Sequence, residues 1–299
     1  MKSIRGFEQV AILSSDINLR RLATLILAVG LASTALAQSK TETRKEYRFS
    51  VGAHPNISVD TQTGDISVKP GNANQVIVTA VVKSDNVEVD QKQTGNRINI
   101  ASHVLQGAGQ QAGHVDYELL IPAGATLSLH AVTGTLSAEH LQGDITLEGA
   151  DAVVNVRSFE NGHVHVQTMR GSVTLTDVRN GHVEVSSISG DVNLKSVTGP
   201  LVQANSGSGK IFYDGDFSSG GDYKFTTHTG DILALAPADV SADFRAHSVV
   251  GQVTNDFPLQ AHHSRFSAEA GRSFFGTAGK AASEVVLRSF SGKIRLKQR

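Results

Sequence analysis

The chain has 299 residues, with 29 glycines, 6 prolines, no cysteine, no tryptophan and 5% aromatic residues, which suits one large all-β domain or two small ones. A formal charge of −1 with no basic stripe excludes a nucleic-acid footprint. Without cysteine there is neither a disulfide framework nor a lipid-modified cysteine.

Residues 1–37 read as a secretory signal peptide. Arg20 and Arg21 precede the apolar run Leu22 to Leu31, and Ala35-Leu36-Ala37 supplies an A-x-A cleavage pattern. Cleavage is expected between Ala37 and Gln38; the alternative is an uncleaved anchor, for which the run is short. Processing removes Lys2, Arg5, Arg20, Arg21, Glu8 and Asp16, so 27 basic and 28 acidic residues become 23 and 26, a charge of −3. No second long apolar run follows. The mature chain, 38–299, is therefore expected to lack a membrane span and to work in the periplasm or outside the cell.

A repeat then decides the fold. A faint copy, Thr63-Gly64-Asp65-Ile66-Ser67-Val68, opens the mature chain. From Gly143 onward the unit small-Gly-x-β-x-β, with β an aliphatic residue, starts at 143, 152, 162, 171, 181, 190, 199 and 209. Steps of 9 or 10 pair into coils of 19 residues, lengthening to 21 towards Gly230 and Gly251. Strict alternation marks strands with one buried face, and each glycine is expected to supply a positive-φ corner. A 19-residue coil stacks Ile145, Val164, Val183 and Val202 in one inward column, with Leu147, Val166, Val185 and Ala204 beside it. The opposite wall stacks Val154, Val173, Val192, Ile211 and Val156, Leu175, Leu194, Tyr213. A sandwich or barrel has no reason to keep such a phase, so a single-stranded β-solenoid (β-helix) of about 19–21 residues per coil is expected. Residues 258–282 break the period and carry Phe266, Phe274 and Phe275; an irregular cap over an open end is expected there, with a binding loop as the alternative.

Tyr117-Glu118-Leu119-Leu120-Ile121-Pro122-Ala123-Gly124, the later Ser/Thr-Gly-Asp-Val/Ile runs, Asn255-Asp256-Phe257-Pro258 and Ser291-Gly292-Lys293-Ile294 occur in an order that resembles the bacterial "putative adhesin" family of β-strand-repeat proteins (domain of unknown function 4097). The resemblance spans roughly residue 60 to the end. It implies an exported, right-handed β-solenoid and brings no catalytic residues.

Catalytic motifs fail on their details. Ser206-Gly207-Ser208-Gly209-Lys210 lacks the first glycine and the final hydroxyl of a phosphate loop, since Ala204 and Ile211 stand there. The segment Gly107 to Gly113 misses dinucleotide spacing by one residue. Asp follows glycine only at 65, 144, 191 and 231 among the repeat units, too seldom for a calcium-binding roll. One constellation stands out. In the 19-residue register His163, His165, His182 and Glu184 share a small outward patch, a donor set that suits zinc or a neighbouring divalent metal; the alternative is an ordinary polar, solvated sheet face. The expected function is a non-catalytic adhesion or envelope-interaction protein, without cofactor, that presents a strand face to an envelope or extracellular macromolecule. The alternatives are a carbohydrate-active enzyme on a β-helix scaffold and a divalent-metal-binding exported protein.

Overall fold

The computed structural model describes residues 42–107, 113–260 and 269–299. The expected signal peptide and Phe266 lie outside the described residues, and residues 41–299 form one compact unit. Among the described residues the secondary structure is all strand, and no helix is long and apolar enough to cross a membrane.

The chain opens with β1 (Thr43–Ser50), β2 (Asn56–Thr63), β3 (Ile66–Pro70), β4 (Gln75–Val82), β5 (Val87–Thr94), β6 (Arg97–Val104) and β7 (Val115–Ile121). Two long strands follow, β8 (Thr126–Glu139) and β9 (Ile145–Glu160). Short ones come next: β10 (His163–Thr168), β11 (Val173–Arg179), β12 (His182–Ser187), β13 (Val192–Val197), β14 (Leu201–Ser206), β15 (Ile211–Asp214), β16 (Asp222–Thr227) and β17 (Ile232–Ala236). The chain ends with β18 (Ala242–Ser248), β19 (Val253–Asn255), β20 (Ser273–Ala278), β21 (Glu284–Ser289) and β22 (Ile294–Gln298). Among the described residues all 22 strands belong to one hydrogen-bonded sheet.

Alternate strands stack into two parallel walls. On one wall β9 pairs with β10, β10 with β12, β12 with β14 and β14 with β16. On the other the tail of β9 pairs with β11, then β13, β15 and β17 follow. The register agrees with the columns read from the sequence: Ile145, Val164, Val183 and Val202 face one another, as do Val154, Val173, Val192 and Ile211. None of these eight side chains is more than 1% exposed. Each aliphatic side chain so buried is worth roughly 1.5–3 kcal/mol, which is why the period-two pattern holds its phase so firmly.

The expected role of the repeat glycines needs correction. Positive φ occurs at Gly64 (138°), but Gly162, Gly171, Gly181, Gly190 and Gly209 do not have it. Left-handed backbone falls instead on Asn161 and Asn180 and on the column Ser158, Asp177 and Ser196, residues whose short polar side chains tolerate it. At Gly162, Gly171, Gly190 and Gly209 a side chain is excluded by the backbone of the neighbouring rung. A Cβ on Gly190 would lie 2.0 Å from the Gly171 carbonyl oxygen, and one on Gly209 the same distance from that of Gly190. Corners pack backbone on backbone.

A second corner element completes this arrangement. Three residues before the glycine stands a buried Ser or Thr whose Oγ accepts the glycine N–H: Thr168 for Gly171, Ser187 for Gly190, Ser206 for Gly209, Thr227 for Gly230, Ser248 for Gly251 and Ser289 for Gly292. Distances run from 2.8 to 3.1 Å. A turning strand leaves that N–H without a ladder partner, and the hydroxyl supplies one.

Sequence order and stacking order part at both ends. β21 lies between β16 and β18, and β22 between β17 and β19, so the C-terminal strands form a rung inside the stack. At the other end β2 sits between β6 and β8, and β3 between β7 and β8. Beyond these rungs pairing turns antiparallel, β5 on β6, β4 on β7, β1 on β4 and β20 on β18. Within the segment expected to be an irregular cap, Phe274 packs against the core from the regular strand β20, and Phe257, one residue before that segment, is buried beside Phe244.

Candidate functional site

The outward patch is built by the register of β9, β10 and β12. Because Val164 and Val166 point inward, as do Val183 and Val185, the intervening residues project outward. His163 stands opposite His182, and His165 opposite Glu184. Thr146 precedes His165 on the β9 rung, and Asp144 leads into that strand. The His163 and His182 rings stack with centroids 4.7 Å apart and planes inclined by 18°. Asp144 Oδ1 accepts the His163 backbone N–H at 3.0 Å and lies 3.7 Å from its Nδ1. Glu184 Oε2 lies 3.4 Å from His165 Nδ1. These six residues line a shallow depression of about 280 Å³. The four predicted residues are therefore brought together, but among the described residues no three metal-binding donors meet at one point.

Imidazole–carboxylate pairs recur elsewhere. His130 Nδ1 lies 3.1 Å from Asp60, His103 Nδ1 3.1 Å from Asp90 and His114 Nε2 2.8 Å from Asp116. Asp116 also pairs with Lys83 and accepts the Asp65 N–H at 2.9 Å. Burial pushes the Asp116 carboxyl up, but Lys83, the Asp65 N–H and His114 outweigh it and hold it below the usual range.

The other motifs find structural roles. Ser206 Oγ holds the Gly209 N–H, and the Lys210 N–H donates to Asp191 Oδ1 at 2.8 Å, so the phosphate-loop look-alike is a corner between β14 and β15. The Gly-Asp aspartates behave alike: Asp65, Asp144, Asp191 and Asp231 accept the N–H of Thr135, His163, Lys210 and Lys293 on the adjoining rung. Their carboxylates are backbone caps.

Sequence reading missed one surface feature. The residue after each corner Ser or Thr forms the outer apex, and backbone hydrogen bonds align Met169, Ile188, Gly207, His228, Phe290 and Val249 along the stack. Met169, Ile188, Phe290, Val249 and the adjoining Val250 are 44–64% exposed, and Phe290 stacks on His228 with centroids 4.8 Å apart. The S/T-x-x-G spacing would have shown it.

The family comparison fits this framework. The family model described as Toastrack DUF4097 matches residues 54–297. The chain belongs to that family. No curated protein matches this Toastrack chain in sequence. Among solved structures, a "putative adhesin" from Bacteroides fragilis is 11% identical, covering 86% of this chain and 99% of its own, with a TM-score of 0.46. A "putative adhesin" from Parabacteroides merdae is 12% identical, covering 85% and 96%, with a TM-score of 0.34. A "putative lipid binding protein" from Parabacteroides distasonis is 10% identical, covering 85% and 97%, also at 0.34.

Proposed function

We propose that this Toastrack chain is an exported, non-catalytic adhesion or envelope-interaction protein. Its residues 38–299 form a right-handed, single-stranded β-solenoid of about 19–21 residues per coil, released by cleavage after Ala37, with 258–282 closing one end. Its partner is a macromolecule of the envelope or the extracellular space.

The observation that carries this reading is the corner ridge. Exposed Met169 and Ile188 on one side of Gly207 and His228, and exposed Phe290, Val249 and Val250 on the other, offer apolar contact along the stack. Exposed apolar rows of this kind mark contact surfaces rather than folding cores. The ridge runs beside flat, polar strand faces, which supply the rim that such contacts need.

The test uses the full chain produced in a bacterial host. N-terminal sequencing of the exported product should begin at Gln38, and cross-linking to envelope extracts should capture a discrete partner. An Ile188→Ser, Phe290→Ser double variant with unchanged circular dichroism should lose that capture. Equal capture by parent and variant would overturn the ridge as the contact surface.

A further inference from the structure

We infer that the β9–β10–β12 face carries a divalent-cation site of the zinc class, with His163, His165 and His182 as ligands and with Asp144 and Glu184 as the groups that orient two of them. The inference is independent of the ridge and of the envelope partner proposed above.

Three features converge on it. The first is placement. His163 and His165 are alternate residues of one strand and share its outward face, while His182 occupies the facing position one rung away. Adjacent rungs lie about 4.8 Å apart. Among the described residues no other three histidines stand on two paired strands in this way. The His163 and His182 rings already lie parallel at 4.7 Å. Tetrahedral zinc with bonds of about 2.0–2.1 Å needs its nitrogens roughly 3.4 Å apart. The His163 and His165 side chains are 62% and 45% exposed, which leaves the rings room to turn out of the stacked arrangement, and binding requires that turn.

The second feature is the orientation of the donors. A ligating imidazole presents one nitrogen to the metal and donates its other N–H to a carboxylate or carbonyl. Asp144 stands on the Nδ1 side of His163, and its carboxylate is fixed there by the His163 backbone N–H. Glu184 stands on the Nδ1 side of His165. With a metal bound, these carboxylates would take the Nδ1–H of each ring and leave Nε2 for the metal. This assigns Glu184 to orientation, where the sequence pattern alone placed it among the ligands.

The third is the surface. The donors line a shallow depression of about 280 Å³ and not a convex ridge, which leaves room for the ion and a water as fourth ligand. Imidazole-rich sets of this kind favour zinc, copper and nickel over calcium or magnesium.

The experiment is calorimetric titration of the purified full chain with zinc, alongside cobalt substitution read by visible d–d absorption. One equivalent per chain and a tetrahedral cobalt spectrum are expected. The His163→Ala, His182→Ala double variant should lose both. Asp144→Asn keeps an oxygen for the His163 N–H, so it should fold normally and weaken zinc by about 10- to 100-fold; Glu184→Gln should do the same. His130→Ala, a histidine of another imidazole–carboxylate pair, should bind as the parent does. The inference falls if the parent binds no zinc, if the double variant binds with unchanged affinity, or if His130→Ala abolishes binding.

Discussion

Replacing Ser187 by Ala tests whether buried hydroxyls hold the corners. Ser187 is 6% exposed and its Oγ accepts the Gly190 N–H at 2.8 Å. Gly190 is itself buried, so its N–H has little access to solvent. The substitution therefore leaves a buried N–H without an acceptor, at a cost of about 1–3 kcal/mol. With a urea m-value of about 3 kcal/mol/M, the unfolding midpoint should fall by roughly 0.3–1 M. Urea titration of the full chain, followed by far-ultraviolet circular dichroism because no tryptophan is present, measures this directly. Ser187→Thr should restore the parent midpoint, since Thr168 and Thr227 make the same bond at equivalent corners. Ser186→Ala, one residue away and exposed, should shift stability by less than about 0.5 kcal/mol. The reasoning is refuted if Ser187→Ala matches Ser186→Ala, or if Ser187→Thr is no better than alanine.

Three further outcomes follow from the same geometry. Val183→Asp places a charge between Val164 and Val202 and should cost several kcal/mol, whereas Ser186→Asp on the outer face should be nearly neutral; equal urea midpoints would undo the register. Gly190→Ala drives a methyl into a neighbouring backbone and should cost about 3 kcal/mol or more, against about 1 kcal/mol for Gly95→Ala, where φ is +60° but the space is open; similar losses would mean that conformation, not contact, selects the corner glycine. Burial pushes the Tyr117 hydroxyl up to about 12. Because the folded value lies above the unfolded value of about 10, its contribution is complete below pH 10 and is lost as pH rises from 10 through 12, by roughly 3 kcal/mol. Parent and Tyr117→Phe should therefore diverge over that window in urea titrations, and parallel curves would count against the assignment.

Much of the architecture was legible because inward positions repeat with one chemistry. Four aliphatic columns predicted which residue faces which across several coils, and from that the outward grouping of His163, His165, His182 and Glu184 followed. Corners were less legible. The repeat glycine has two physical explanations, positive φ and lack of room, and a sequence shows the glycine without the neighbouring carbonyl that decides between them. The Ser or Thr three residues earlier is written plainly in Thr168-Met169-Arg170-Gly171 and Ser187-Ile188-Ser189-Gly190, but its meaning depends on knowing that the strand turns there. The swapped rungs were not legible at all. Nothing in Glu284–Ser289 distinguishes pairing with its nearest preceding strand from insertion between β16 and β18, because every rung offers the same apolar columns.

Those swapped rungs bear on what surface is left for a partner. A stack of parallel strands ends in rows of unpaired N–H and C=O groups that invite growth along the axis. Here β2, β3, β21 and β22 are locked one rung inside, and the outermost positions pass to the antiparallel strands β1, β5 and β20 and to the short parallel strand β19. Of these, β1 carries Arg44, Lys45, Glu46 and Arg48, with Arg44 paired to Glu118 and Arg48 to Glu46, while β5 carries Glu88, Asp90 and Lys92. At the other end β19 has only three residues, and β20 is bridged on its far side by Gln260. Charged, short and covered edges all resist strand addition. Axial stacking of copies is thus disfavoured at both ends, and the two contact surfaces proposed above, the histidine-bearing strand face and the apolar corner ridge, are both lateral. A partner that engages this chain by adding a strand would contradict that conclusion, whereas one displaced by Ile188→Ser or by chelation of a metal at His163 and His182 would agree with it.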